Sequence, residues 1–173
     1  IDYVVAGGME SMTNEPYLLK KHRSGARLGH DTAYDHMFLD GLEDAYEEGR
    51  AMGTFAQDTA NDYQLTREEM DAYSIESLRR ANAAIENGAF AGEVVPVTFS
   101  TRAGEVTVEH DEQPGKGKPD KIPTLRPAFA KDGTITAATS SSISDGAAAV
   151  VLTRESVAEK NGQTPVARIV AMA

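Results

Sequence analysis

Two apolar runs near the ends of the chain constrain its fold most. Residues 1–6 form a β-branched run that stops at Gly7 and Gly8, and residues 145–152, DGAAAVVL, form a second run. Both patterns are typical of buried strands. Helical patterns occupy much of the stretch between them. We therefore predict an α/β fold in which one sheet carries a large, mostly helical insertion over roughly residues 12–132.

A segment of small residues leads into the second strand. Residues 134–144 are TITAATSSSIS. Small side chains at the mouth of a buried strand let a ligand approach the backbone, and hydroxyl groups there can orient it. An ordinary serine-rich turn is the alternative interpretation of this pattern.

Two capping boxes predict helices inside the insertion. Thr54 with Gln57 predicts a helix over residues 55–63, and Thr66 with Glu69 predicts a longer one that ends near Gly88. The residues expected on one face of the longer helix are Met70, Tyr73, Ser77, Ala81, Ala84 and Ile85.

The rest of the chain gives shorter signals. We predict a loop at residues 10–19, short amphipathic helices in the acidic stretch 31–48, and a hairpin of residues 93–98 and 105–109. Residues 110–123 are rich in Pro, Gly and Lys and predict a loop. A helix over 153–161, with Thr153 as cap and Gly162 as stop, precedes a final strand at 165–173.

Composition excludes several classes of function. The chain has 173 residues, 40% of them hydrophobic, which is enough for a globular core. Its net charge of -10 argues against binding to nucleic acid or to an anionic membrane surface. No run approaches the length of a transmembrane helix. It contains no Cys, and its four His show no metal-ligand spacing, so we expect no metal site.

Short motifs at four places resemble those of the thiolases, enzymes that make or cleave 3-ketoacyl-CoA. They are the strand and turn at 4–12, MGTFAQ at 52–57, LRPAF at 125–129, and the segment 134–149. The resemblance implies a thiolase-like fold. It also implies domain limits: residues 1–12 in the N-terminal half, 13–132 as an inserted loop domain, 133–162 as the last strand and helix of that half, and 163–173 as the start of the C-terminal half.

The resemblance further implies a binding wall for coenzyme A. Ser141 occupies the position of a family serine whose hydroxyl contacts the pantetheine amide. Phe129 would pack on the coenzyme A arm, and a basic residue such as Lys121 could meet the phosphates as a point charge. Core packing and a solvated lysine are the alternatives. The residues expected to contact coenzyme A are Ser141, Met52, Phe129, Ala137, Ala138 and Lys121.

The catalytic residues of the family are absent from this chain. Thiolases use two Cys and a His in a Gly-His-Pro motif, and the chain has neither Cys nor that motif. We therefore expect no catalytic residue here, no cofactor, and coenzyme A as a substrate. Ile1 is not an initiator Met, and the predicted strand at 165–173 lacks a partner. We expect an internal segment of a longer protein.

The expected function is acyl transfer of the thiolase type, on a 3-ketoacyl-CoA such as acetoacetyl-CoA, through a Cys acyl-enzyme. This segment would supply coenzyme A binding and subunit contacts, with residues 25–42 resembling the loop that pairs thiolase dimers into tetramers. We expect a homodimer or homotetramer in the cytoplasm. The alternatives are a non-catalytic coenzyme A-binding or scaffold protein that keeps the loop domain, and, less favoured, a related condensing enzyme such as a ketoacyl synthase.

Overall fold

A computed structural model describes residues 1–172 of the chain. Its strands are β1 Tyr3–Glu10, β2 Tyr17–Leu18, β3 Tyr34–Asp35, β4 Val97–Thr101, β5 Gly104–Val108 and β6 Gly146–Thr153. Its α-helices are α1 Met52–Asp62, α2 Arg67–Glu86, α3 Glu112–Lys116 and α4 Glu155–Lys160. The chain divides into two compact units. One contains residues 1–37 and the residues from 143 onward, and the other contains residues 38–142.

The first unit contains a ribbon made from both ends of the chain. β1 pairs antiparallel with β6 over eight residue pairs, from Tyr3 opposite Thr153 to Glu10 opposite Gly146. The prediction that the two apolar runs share one sheet is therefore confirmed. The predicted stop at Gly7 is wrong, because β1 continues through it. A side chain at Gly7 would collide with the backbone of Ala148, so glycine allows the two strands to approach there.

The ribbon is exposed, although its sequence predicts buried strands. All eight residues of β6 are exposed, and Val5 and Val151 retain 74% and 68% of their accessible surface. The predicted core position of both strands is wrong for the part of the chain that the structure describes. A two-stranded ribbon has too few neighbouring side chains to cover either of its faces.

The residues after β6 also differ from prediction in part. Arg154, not Thr153, precedes the first turn of α4, because the Thr153 hydroxyl donates instead to the Asp2 carbonyl at 2.7 Å. Gly162 ends this region with a φ of +64°, as expected for a glycine stop. Residues 165–172 form no regular secondary structure, so the strand predicted there is wrong. A strand without a hydrogen-bonded neighbour is not stable.

The acidic stretch is helical over only part of its length, so the predicted one or two short amphipathic helices are confirmed in part. It contains the two-residue strand β3, which pairs with β2, and a five-residue π-helix at Phe38–Leu42. Aspartate side chains accept hydrogen bonds from the backbone amides. Asp35 accepts from the amide of Met37 at 3.0 Å, and Asp44 accepts from the amide of Glu47 at 2.7 Å. Such local bonds favour turns over helix. The predicted loop at 10–19 likewise contains β2 and a 3-10 turn at Met12–Asn14.

The second unit is built on α1 and α2. α2 begins as predicted: Thr66 accepts from the Glu69 amide at 3.2 Å, and the Glu69 carboxylate accepts from the Thr66 amide at 2.9 Å. It ends before Gly88, which has a φ of +70°. The capping box predicted for α1 is wrong. α1 begins at Met52, and the Thr54 hydroxyl donates to the Ala51 carbonyl inside the helix at 2.7 Å.

The remainder of this unit is a hairpin and two short turns. β4 and β5 pair antiparallel, with Thr101 opposite Gly104, which confirms the predicted hairpin. The predicted loop at 110–123 is partly wrong, because it contains α3 and a 3-10 helix at Pro119–Thr124. Gly117, between the two, packs on α2, where an added Cβ would lie 2.6 Å from a Leu78 methyl group.

Candidate functional site

The second unit contains an open cavity of about 1100 Å³ along one face of α2. Its other walls are the segment from α3 to Leu125 and the small-residue segment that follows Ile135. Apolar side chains form its base, namely Leu65, Met70, Leu78, Ala81, Ile122, Leu125 and Ile135, and three lysines and five serines add polar groups. A mostly apolar cavity with a few polar groups is the usual form of a small-molecule site.

An arginine at the start of α2 fixes the first wall. The Arg67 guanidinium donates to the Ile122 carbonyl and to the Leu125 carbonyl, each at 3.0 Å. Its Nε donates to Asp71, one turn further along the helix, at 2.7 Å. Asp71 is only 5% exposed. The carboxylate therefore orients the guanidinium, and the guanidinium satisfies two backbone carbonyls of the wall.

A buried glutamine on α1 fixes the second wall. The Gln57 side-chain oxygen accepts from the amides of Thr134 at 2.8 Å and of Ile135 at 3.3 Å. Its nitrogen donates to the Asn61 side chain at 3.0 Å and to the Thr134 hydroxyl at 3.2 Å. One amide group therefore ties the wall to α1. The spacing of Gln57 from Thr54 predicted a capping box, whereas the position of Gln57 in the structure shows a different role.

The small-residue segment folds around Thr136, which is fully buried. The Thr136 carbonyl accepts from the Ser140 hydroxyl at 2.8 Å and from the Thr139 hydroxyl at 3.2 Å. Neighbouring Ser141 is exposed and lines the cavity, and among the described residues none makes a hydrogen bond with its hydroxyl. Ser140 therefore supports the turn, while the Ser141 hydroxyl is available to a ligand.

Charged groups at the cavity are mostly basic. Lys116, Lys118 and Lys121 line it, and Lys116 pairs with Glu112 at 3.1 Å. Within the described residues, no carboxylate pairs with Lys118 or Lys121. Glu69 is the one acidic lining residue. Its pKa is lowered because its carboxylate accepts hydrogen bonds from the Thr66 amide and then from the Thr66 hydroxyl. Two unpaired lysines favour an anionic group on the ligand.

The structure brings four of the six predicted contact residues to this cavity. Ala137, Ala138, Ser141 and Lys121 line it. The other two, Met52 and Phe129, do not. They lie at the first turn of α1, where the Phe129 ring packs directly over Gly53, and both are about two-fifths exposed.

The groups that line the cavity are suited to binding a ligand. Neither Cys nor His lines it, and the residues that the structure describes include no cluster of His, Cys, Asp and Glu able to hold a metal ion. Nucleophilic acyl transfer needs an activated nucleophile with a base. Arg67 and Thr136 were not predicted to take part in the site. The spacing of Arg67 and Asp71, four residues apart on one helix, could have identified the first, whereas nothing in the sequence distinguishes Thr136 from its neighbours.

Comparison with known proteins identifies the family. Residues 1–156 match the family model described as the thiolase N-terminal domain. The chain therefore belongs to the thiolase family. An acetyl-CoA acetyltransferase of Escherichia coli K12 is 48% identical over 168 residues, which are 96% of this chain and 42% of that protein. A probable acetyl-CoA acetyltransferase of Dictyostelium discoideum is 47% identical over 98% of this chain and 41% of that protein. The chain thus spans about two fifths of these relatives.

Solved structures show the same relationship. The acetyl-CoA acetyltransferase of Syntrophomonas wolfei matches with a TM-score of 0.83 at 38% identity, covering 95% of this chain and 41% of that one. A thiolase of Ascaris suum in complex with coenzyme A matches with a TM-score of 0.79 at 43% identity and the same coverage. The fold is therefore the thiolase-like α/β fold. No helix among the described residues is long and apolar enough to cross a bilayer.

Proposed function

We propose that this chain is the coenzyme A-binding and subunit-contact segment of a thiolase-type acyltransferase. The enzyme would condense or cleave a 3-ketoacyl-CoA such as acetoacetyl-CoA through a Cys acyl-enzyme. Its nucleophile, second Cys and His would lie outside the 173 residues, which contain no Cys. Residues 38–142 would form most of the inserted loop domain. The domain limits expected from the sequence stay a prediction.

The cavity along α2 is the observation that carries this proposal. Coenzyme A joins a flexible pantetheine arm, which has apolar carbons and two amides, to a phosphorylated nucleotide. The apolar base of the cavity suits the arm, and the Ser141 hydroxyl suits an amide. Small side chains at Ala137 and Ala138 leave the backbone accessible. Lys118 and Lys121 are placed to attract the phosphates.

The chemistry of such an enzyme would need little from this segment beyond positioning. A Cys thiolate takes the acyl group, and either coenzyme A or an acetyl-CoA carbanion then attacks the acyl-enzyme. Holding the thioester in a fixed place converts that attack into an intramolecular event. Coenzyme A would be a substrate, and we propose no cofactor for the segment. Phe129 and Met52 would contact the arm from the start of α1.

Binding of coenzyme A to the complete gene product tests the proposal. We expect Ser141→Ala to raise the Kd by about three- to tenfold, the worth of one neutral hydrogen bond, with little change in thermal stability. Ser140→Ala is the matched control. It removes the bond to the Thr136 carbonyl, so it should lower the Tm, which Ser141→Ala should not do. Unchanged affinity in Ser141→Ala would show that the serine cluster is only a turn.

The rival function is that of a non-catalytic coenzyme A-binding or scaffold protein that keeps the thiolase loop domain. Sequencing the complete gene separates the two. A Cys in a Cys-x-Ser-Gly context before Ile1, with Gly-His-Pro and Cys-Gly-Gly after Ala173, supports the enzyme. Their absence supports the rival. Coenzyme A would bind in both cases.

Subunit contacts form the last part of the proposal. Residues 25–42 would pair subunits of a homodimer or homotetramer, and the full exposure of Leu28 supports a contact in this segment. Light scattering of the complete gene product, with Leu28→Lys as the variant, tests it: a fall in molar mass is expected, and an unchanged mass contradicts the assignment. We propose a cytoplasmic location.

A further inference from the structure

We propose that Arg67 is a positioning residue that places Lys121 and the wall of residues 119–125 for coenzyme A. This inference rests on the proposed function. Arg67 does not line the cavity itself, so any effect of its substitution on the ligand must pass through the wall that it binds. The distances and burial at Arg67 and Asp71 carry the inference.

The guanidinium links three acceptors that lie in two different elements. Its Nη2 donates to the carbonyls of Ile122 and Leu125, each at 3.0 Å, while Nε donates to Asp71 on α2 at 2.7 Å. Ile122 and Leu125 both face the cavity, and Lys121 directly precedes Ile122. The position of the wall relative to α2 is therefore set by one side chain, in addition to apolar packing.

Burial makes this arrangement specific for arginine. Asp71 is almost fully buried, and its Oδ1 accepts no hydrogen bond within the described residues. A buried carboxylate with so few partners binds its single cation strongly. Arginine offers separate donors in a rigid planar fork, whereas lysine offers one flexible nitrogen. Arg67→Lys therefore keeps the charge beside Asp71 but cannot bind both carbonyls in the same geometry.

The local structure of the wall does not place it on α2. The Lys121 amide donates to the Lys118 carbonyl at 2.9 Å, and the Leu125 amide donates to the Ile122 carbonyl at 3.2 Å. These bonds close the 3-10 turn but connect it only to itself. Without the fork of Arg67, we expect the turn to keep its shape and to shift along α2, which moves the Lys121 ammonium away from the phosphates.

A double-substitution cycle on coenzyme A binding by the complete gene product tests this inference. We expect Arg67→Lys to raise the Kd about tenfold when Lys121 is present. In a Lys121→Ala background, the same substitution should raise it only about threefold, because the charge that Arg67 places is already gone. Arg79→Lys is the matched control. Arg79 lies on α2, pairs with the partly exposed Glu76 at 2.7 Å, and should leave the Kd unchanged in both backgrounds.

The outcomes separate this inference from the proposed function. No binding of coenzyme A by the unsubstituted protein refutes both. Tight binding with an equal effect of Arg67→Lys in both backgrounds refutes the positioning role alone. Asp71→Asn provides the second variant, since it weakens the orientation of Arg67 and should show the same dependence on Lys121. If Arg67→Lys and Asp71→Asn both fail to fold, the pair serves stability only and the inference is wrong.

Discussion

Replacing Gln57 with alanine removes a side chain that ties the second cavity wall to α1. Gln57 is 8% exposed, and its oxygen accepts from two successive amides, those of Thr134 and Ile135. Gly133 packs against the same oxygen, so closely that an added Cβ there would lie 2.5 Å from it. Alanine at position 57 would therefore leave two amides without their acceptor and open a space beneath the wall.

The magnitude follows from the burial of the two amides. Ile135 is 5% exposed, so its amide cannot form a hydrogen bond with water instead. Leaving that amide without an acceptor should cost about 1–3 kcal/mol of stability. Thr134 is partly exposed, and water can replace the glutamine there at a cost of about 0.5–1.5 kcal/mol. We expect Gln57→Ala to lower the free energy of unfolding by about 2–4 kcal/mol in the unit that contains α1.

Two measurements check this expectation. Urea unfolding followed by circular dichroism gives the loss of stability, with an unchanged slope if the unfolded state is unaffected. Native-state hydrogen exchange gives its location, because the amides of Thr134 and Ile135 should exchange faster than their neighbours in α2. Gln57→Glu keeps an oxygen for both amides, and the Thr134 hydroxyl can rotate to donate to it. The free energy of unfolding of Gln57→Glu should fall by roughly half as much as that of Gln57→Ala.

Thr59→Ala is the control, since Thr59 is an exposed residue of the same helix and alanine favours helix slightly. We expect no loss of stability from it. A Gln57→Ala protein within about 0.5 kcal/mol of the unsubstituted one, with exchange at 134 and 135 unchanged, would refute the anchoring role of Gln57.

Four further predictions concern other parts of the chain. Thr66→Ala removes the capping box of α2 and should cost about 1 kcal/mol in urea unfolding; an unchanged midpoint contradicts it. Gly117→Ala brings a Cβ to 2.6 Å from Leu78 and should cost about 1 kcal/mol and weaken coenzyme A binding. Hydrogen bonds from Arg79, then Arg80, lower the pKa of Glu76 to about 2. Stability from Glu76 is therefore complete above about pH 4.5 and is lost toward pH 2, so Glu76→Gln should flatten the dependence of Tm on pH in that window. The 173-residue chain alone should show no thiolysis of acetoacetyl-CoA above buffer, because it contains no Cys.

Local chemistry made several elements predictable from the sequence alone. The Thr66 box, the glycine after α2 and the β4–β5 hairpin depend on interactions within a few residues, and all three are present in the structure. The motifs at four places also identified the family. The presence of β1 and β6 in one sheet followed from their two apolar runs, although these are more than 130 residues apart, and their direct pairing was found only in the structure.

Tertiary structure decided what local patterns could not. Thr54 and Gln57 have the spacing of a capping box, but Gln57 is drawn into the interior, where two distant amides need an acceptor. The burial of a strand likewise depends on the elements that pack against it. β6 has the composition of a core strand, yet it is exposed because a two-stranded ribbon cannot cover it. The cavity itself depends on Arg67, which donates to two backbone carbonyls, and on Thr136, whose own carbonyl accepts from two hydroxyls. No side-chain pattern in the sequence records these bonds. Sequence therefore determined the elements that local interactions define, and only packing determined the remaining elements and the polar groups that meet inside the fold.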